Sequence, residues 1–165
     1  MKILGIDPGL ERTGYGVIET PTGAAVPRLL EAGVVRTDRR TALESRLAEL
    51  AEGLEAVLAE FKPEAVAVEQ LYSHYKHPRT AILMGHARGI VFLAAARAGV
   101  PVASYPATRI KKSLVGSGHA SKTQVQRAIQ SALRLKDLPE PPDVADALAV
   151  ALCHAHMGAR AKANR

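Results

Sequence analysis

Apolar positions along the chain change period more than once, and those changes divide it into elements. Residues 2–7 (KILGID) form a short apolar run that stops on Asp7 before a Pro-Gly turn, and 14–19 (GYGVIE) read as its hairpin partner across PGLERT. A third extended segment, RLLEAGVV, follows the PTG turn at 21–23. The period then lengthens. Leu43, Leu47, Leu50, Leu54, Val57, Leu58 and Phe61 recur at steps of three and four, which places one apolar stripe on a helix that Pro63 ends. AVAVEQ at 65–70 predicts a buried strand that again closes on an acid, Glu69. After the polar loop SHYKHP comes an Ala- and Gly-rich helix over 79–98, then PVASYP at 101–106 as a fifth strand.

TRIKKSLVGSGHASKT reads as a basic, Gly-broken connection with room for one helical turn. A helix from Ser121 to Leu133 carries Val125, Ala128, Ile129, Ala132 and Leu133 on one side, and after LPEPP a last helix starts at Asp143. Three strands followed by alternating helix and strand predict an α/β fold, a mixed five-stranded sheet flanked by helices. With no internal repeat and no dividing linker, residues 1–158 read as one domain and 159–165 as a basic, disordered tail.

Composition changes this picture in one respect. The 165 residues are 47% hydrophobic and 23% charged, which reads as an ordinary globular protein long enough to bury a sizeable core. Lys and Arg number 22 against 16 acids, a net charge of +6, so an anionic partner is favoured, nucleic acid before membrane. GIVFLAAA, between Arg88 and Arg97, is too short for a membrane span, and the N-terminus enters a strand without a signal-peptide region. A cytoplasmic protein with no membrane association is the expectation. Cys153, the single cysteine, excludes a disulfide framework or cysteine-based zinc site within one chain and reads as a small buried thiol.

Four carboxylates occupy suggestive places. Asp7 and Glu69 close buried strands, and Asp143 and Asp146 open the last helix in PPDVADALAVAL. Each has a plain structural role available: turn chemistry for Asp7, a wet strand end for Glu69, helix capping and dipole complementarity for Asp143 and Asp146. Taken together they suggest more. Ligands favour the strand-end edge of α/β sheets, and residues at i and i+3 share a helix face. Clustered acids cannot all stay ionised without compensation, and hard divalent cations such as Mg²⁺ or Mn²⁺ supply it through oxygen ligands. Two such ions about 4 Å apart suit in-line phosphodiester hydrolysis.

The basic residues fit the same chemistry. Lys111 and Lys112 follow the fifth strand and Lys122 follows the GSGHAS loop, where lysines either face solvent or hold phosphate. After Glu69, LYSHYKHPR interleaves Tyr72 and Tyr75 with His74, Lys76, His77 and Arg79, a composition suited to stacking a base beside a phosphate backbone. His74, His77 and His86 do not have the spacing of a zinc motif.

GIDPGLERTGYGVIE, VAVEQ, the ARG of GHARG, and DVADALAVALCHAH, in that order and spanning nearly the whole chain, resemble the conserved blocks of the RuvC family of bacterial crossover junction endodeoxyribonucleases. The resemblance implies an RNase H-like fold and a homodimer that resolves Holliday junctions, four-way DNA, with two symmetric nicks. It also implies catalysis with Mg²⁺, two ions per subunit with Mn²⁺ able to substitute, and cooperation with the RuvA–RuvB branch-migration complex. Asp7, Glu69, Asp143 and Asp146 fall on the family's catalytic acids, and Lys111 and Lys122 on its basic positions for DNA binding and catalysis. Tyr72 falls where relatives commonly carry a stacking Phe, HYKHP replaces a more Asn-like pattern, and His86 stands where Gln is usual. Gly85, Gly89 and the run Ile90–Leu93 mark the second helix as either the dimer interface or a core element.

Three other readings compete. GIDPG also resembles the first phosphate loop of actin-like ATPases and sugar kinases, but those folds need a duplicated domain and a second Gly-rich motif. A RuvC-like nuclease acting on RNA shares the chemistry but has a different terminal block. A non-catalytic junction-binding module would use the basic loop, yet four acids near phosphate would only weaken it.

Overall fold

The computed structural model describes residues 1–21, 26–71 and 78–163. Strands β1 (Lys2–Asp7), β2 (Arg12–Glu19) and β3 (Arg28–Arg36) are followed by helix α1 (Leu43–Phe61), strand β4 (Ala65–Glu69) and helix α2 (Pro78–Arg97). Strand β5 (Val102–Tyr105) then leads into helices α3 (Ala107–Val115), α4 (Lys122–Leu133) and α5 (Pro142–Ala163). The sheet order is β3-β2-β1-β4-β5. β1 pairs antiparallel with β2, and β2 with β3, whereas β4 joins β1 and β5 joins β4 in parallel. The mixed five-stranded sheet is the one the alternation of elements predicts.

Because strand side chains alternate between faces, β1 and β4 feed two separate cores. Ile3, Ile18 and Ala67 pack with α5 through Leu148, Ala151 and Leu152, joined by Ile110 of α3 and Ile129 of α4. Leu4, Ile6, Val17 and Val66 pack on the other face with Leu50 and Leu54 of α1 and Val91 and Ala94 of α2. The stripe read for α1 holds from Leu47 onward, and the helix ends where Lys62 turns left-handed (φ 47°) and its N–H bonds Leu58 O at 3.0 Å, just before Pro63. Ser121 caps α4 with Gln124 as its reciprocal partner, at 3.3 and 2.8 Å.

Two expectations need correction. The segment after β5 forms a nine-residue helix, α3, and not a connection with a single turn. Its apolar content is small, but Ile110 is buried and Leu114 and Val115 pack beside it against α5, which tertiary contact stabilises where propensity does not. The last helix begins at Pro142, a favourable first-turn position for proline, so Asp143 lies inside the first turn instead of capping it. Helical backbone runs on to Ala163.

Two glycines set the distance between α5 and the sheet. A Cβ on Gly5 would collide with the carbonyl oxygen of Ala147, and one on Gly14 with that of Asp143. Only glycine lets the helix backbone rest directly on β1 and β2 there.

Candidate active site

Period two places Gly5 and Asp7 on the same face of β1 as Ile3, and Glu69 on the same face of β4 as Ala67. Asp7 and Glu69 each stand one residue past the Ile6–Val68 rung of the parallel pair, so two acids close neighbouring strands on the α5 side. Helix α5 crosses this face with its N-terminal end against Gly14, which brings Asp143 and Asp146 over the same edge. All four side chains are half-buried.

Their electrostatics are coupled. Burial, then Asp146, Glu69 and Asp143 in turn, pushes Asp7 up to about 7, with Lys122 opposing. Burial and then Asp146 raise Glu69, while Lys111 and Lys122 pull it down. Asp146 is raised by burial and by Asp143, with Lys122 and Lys111 opposing; the Lys122 ammonium lies 3.9 Å from its Oδ2. The four acids do not form a ready-made cage, however. Among the described residues no group of three or more His, Cys, Asp or Glu side chains is arranged to hold a metal ion. One reason is visible: Arg12 Nη2 holds Asp143 Oδ2 at 2.6 Å.

The donor set still fits a hard cation, on two observations. Every candidate ligand is a carboxylate, the type that Mg²⁺ and Mn²⁺ select. In addition, the raised values of Asp7, Glu69 and Asp146 record a shortage of positive charge at this edge that a divalent ion would remove.

Comparison with known proteins decides the family. The family model described as crossover junction endodeoxyribonuclease RuvC matches residues 3–154. The chain belongs to the RuvC family. A RuvC from Rhodopirellula baltica is 54% identical over 153 residues, covering 92% of this chain and 84% of that protein. The structure of Thermus thermophilus RuvC in complex with Holliday junction substrate superposes with a TM-score of 0.92 at 40% identity, covering 98% of this chain and 96% of that one. The yeast mitochondrial Holliday junction resolvase, at 16% identity, shares the fold alone, with a TM-score of 0.69 over 98% of this chain and 80% of its own. The sheet is therefore the RNase H-like sheet of RuvC nucleases.

The other residues singled out in this RuvC chain separate into groups. Lys111 and Lys122 act on the acids, as the shifts of Glu69 and Asp146 record. Lys112, one residue on, faces elsewhere: with Arg109 and Met157 it lines a cleft of about 570 Å³ between α3 and α5. Arg79 is exposed in the first turn of α2, and His86 is exposed further along that helix. Tyr72, Tyr75 and Lys76, with His74 and His77, lie outside the described residues. No helix among the described residues is long and apolar enough to cross a membrane.

Two arginines that the sequence reading gave no role touch the acid edge. Arg12 stands on β2 two residues before Gly14, where the reading had not yet begun the strand. Arg88, inside the GHARG block, spans the ends of two strands: its Nε donates to Glu69 O at 3.3 Å and its Nη2 to Ser104 Oγ at 2.8 Å. Its guanidinium also lies 4.7 Å from the centre of the Phe92 ring, a cation–π contact. The clue available in sequence was a basic residue on a small-residue helix, which alone says nothing about its target.

Proposed function

We propose that this chain is a structure-selective endonuclease that resolves Holliday junctions in DNA recombination and repair. As a homodimer it would make paired symmetric phosphodiester cuts. The observation that carries this reading is the convergence of Asp7 and Glu69, from adjacent strand ends, with Asp143 and Asp146 at the start of the helix laid across them. Membership of the RuvC family supplies the substrate class.

Asp7, Glu69, Asp143 and Asp146 would hold divalent metal, two Mg²⁺ per subunit with Mn²⁺ able to substitute. Bound there, metal would supply an activated water and charge stabilisation at the leaving 3′ oxygen. The chain's own groups do the rest. The strand ends hold the acids on a rigid platform, and Lys111 and Lys122 counter the charge of a phosphate brought against them. Arg88 steadies the backbone beneath Glu69. Tyr72, Tyr75, Lys76, Arg79 and Lys112 would complete the DNA surface, and the RuvA–RuvB complex would deliver the junction.

The α2 surface supports the dimer. Ala87, Val91, Ala94 and Ala95 face the core, while Ile82, Leu83, Phe92 and Leu93 are exposed at 61%, 40%, 37% and 45%. A Cβ on Gly85 or Gly89 would meet nothing, so the face is open for close approach by another helix. A two-fold dimer through this face presents two equivalent sites to two equivalent strands.

The test compares a synthetic four-way junction with linear duplex, with and without Mg²⁺. The wild-type protein should cut the junction symmetrically, and Asp7→Asn should bind it and leave it intact. Equal cutting of linear duplex, or full activity in Asp7→Asn, would overturn the reading. Leu93→Glu should sediment as a monomer and lose paired cutting; a dimer unaffected by it would place the interface elsewhere.

A further inference from the structure

A cleft of about 500 Å³ opens on the Asp7 side of the acid edge, and its chemistry is unlike that of the lysine side. Asp7, Glu11, Arg12, Arg39, Arg46 and Asp143 line it. Arg12 is committed to Asp143 through the 2.6 Å ion pair. Arg39 and Arg46 are less firmly engaged: both lower the Asp38 carboxyl through space, but among the described residues neither makes a direct ion pair with a carboxylate.

Arg46 is held in place by a chain of hydrogen bonds. Its Nε donates to Thr37 Oγ1 at 3.1 Å, and the Thr37 hydroxyl, in a side chain buried to 7% exposure, donates to Leu10 O at 2.5 Å. Thr37 N donates to Glu11 O at 3.1 Å, and Thr13 Oγ1 donates to Gly9 O at 2.6 Å. The turn that leaves the Asp7 strand is thereby cross-braced to the arginine. One edge of the guanidinium is occupied, and its terminal nitrogens have no hydrogen-bond partner among the described residues. A half-buried arginine with an oriented stem and an unused fork matches the planar, two-point geometry of a phosphodiester.

We propose that Arg46, assisted by the exposed Arg39, forms a backbone-phosphate subsite for the DNA strand beside the acids. Lys111 and Lys122 border Glu69 and Asp146, whereas this subsite borders Asp7 and Asp143. The substrate backbone is therefore gripped by two chemically distinct basic groups: flexible point charges on one flank and a braced fork on the other. This rests on the nuclease reading for its ligand and extends the contact surface to residues outside the resemblance blocks and the basic loop.

Salt dependence of binding tests it, with full-length protein in EDTA so that no strand is cut. A labelled four-way junction and a linear duplex are each titrated across a KCl series, followed by fluorescence anisotropy. Arg46→Gln should lower the slope of log affinity against log salt by about 0.9, the value for one phosphate contact on duplex DNA, with both DNAs. Arg46→Lys should keep the slope and weaken affinity, because charge remains and the fork is lost. Arg39→Gln changes an exposed side chain, so its melting temperature should match wild type while its slope falls in the same direction. Unchanged slopes in both glutamine variants would overturn the subsite. A wild-type protein with no preference for the junction over duplex would instead overturn the resolvase reading, and the slopes would still decide the subsite.

Discussion

Helices α5 and α2 are both long and alanine-rich and lie on opposite faces of one sheet, yet they are finished differently. From Val144 to Cys153 every residue of α5 except Asp146 is buried. Helix α2 buries Ala87, Val91, Ala94 and Ala95 and leaves Ile82, Leu83, Phe92 and Leu93 in the open. The glycines explain the contrast. Against α5 they sit in the strands: at 5 and 14 the helix backbone lies on the sheet, and at 16 the Leu148 side chain does. On α2 they sit in the helix itself, at 85 and 89, and face empty space. Small residues in a strand fix a helix and what it carries, here Asp143 and Asp146. Small residues on an outward helix face leave room for a partner.

The strongest way to break this comparison is to make one substitution on both faces. Gly5→Ala drives a methyl into the Ala147 carbonyl and against the Ala151 side chain, at 2.8 Å from its Cβ. Neither neighbour is the end of a flexible chain, so a cost of about 3 kcal/mol is expected, at the upper end for overpacking. Because the same shift lifts the α5 acids away from Asp7, activity should fall further than stability explains. Gly89→Ala meets nothing and should stabilise the monomer by up to about 1 kcal/mol through helix propensity. Urea melts at low protein concentration measure both. A Gly5→Ala protein as stable as wild type would mean that α5 does not need its contact with β1.

A second, pH-dependent effect tests what the sealed face costs. Asp7 titrates near 7 in the folded chain because burial and three other acids disfavour its charge. Its folded value lies above its unfolded one, so between those values the folded state binds the proton and the unfolded state does not. Stability of the metal-free protein therefore falls as pH rises from the ordinary carboxylate range to about 7, and Glu69 and Asp146 act in the same direction. Asp7→Asn, neutral at every pH, should melt higher than wild type at pH 8 in EDTA and similarly at pH 4. Equal melting at pH 8 would show that the field at this edge is already compensated. Saturating Mg²⁺ should narrow the gap by stabilising only the wild type.

The division between the two faces was only partly legible in the sequence. Period-two and period-three patterns placed all five strands and the stripe of α1, and two strands closing on Asp7 and Glu69 marked the edge of the sheet. Helix α3 was missed because it is only nine residues long, carries two adjacent lysines and runs straight into the Gly-broken GSGHAS loop; its stability comes from Ile110 meeting α5. The choice between core and interface for α2 was open because a stripe of small residues does not say which side faces the sheet. Arg12, Arg46 and Arg88 escaped for a third reason. Each acts across space on a distant element, and a basic residue's target is set by the fold.

The smallest expected effect on stability concerns Arg12, which ties β2 to the first turn of α5. Its pair with Asp143 is half-exposed, at 38% and 27%, so it contributes below about 1 kcal/mol. Arg12 Nε, moreover, is buried without a hydrogen-bond partner among the described residues, which offsets part of that gain. Arg12→Gln should therefore change the metal-free melting temperature little. Metal affinity should respond more, because Asp143 loses the cation that now competes for its carboxylate. Titration calorimetry with Mn²⁺ should show binding tightened several-fold in Arg12→Gln. Weaker binding would reverse the role: Arg12 would then be presenting Asp143 to the ion, and the order of the sealed face would depend on this arginine as well as on the glycines beneath it.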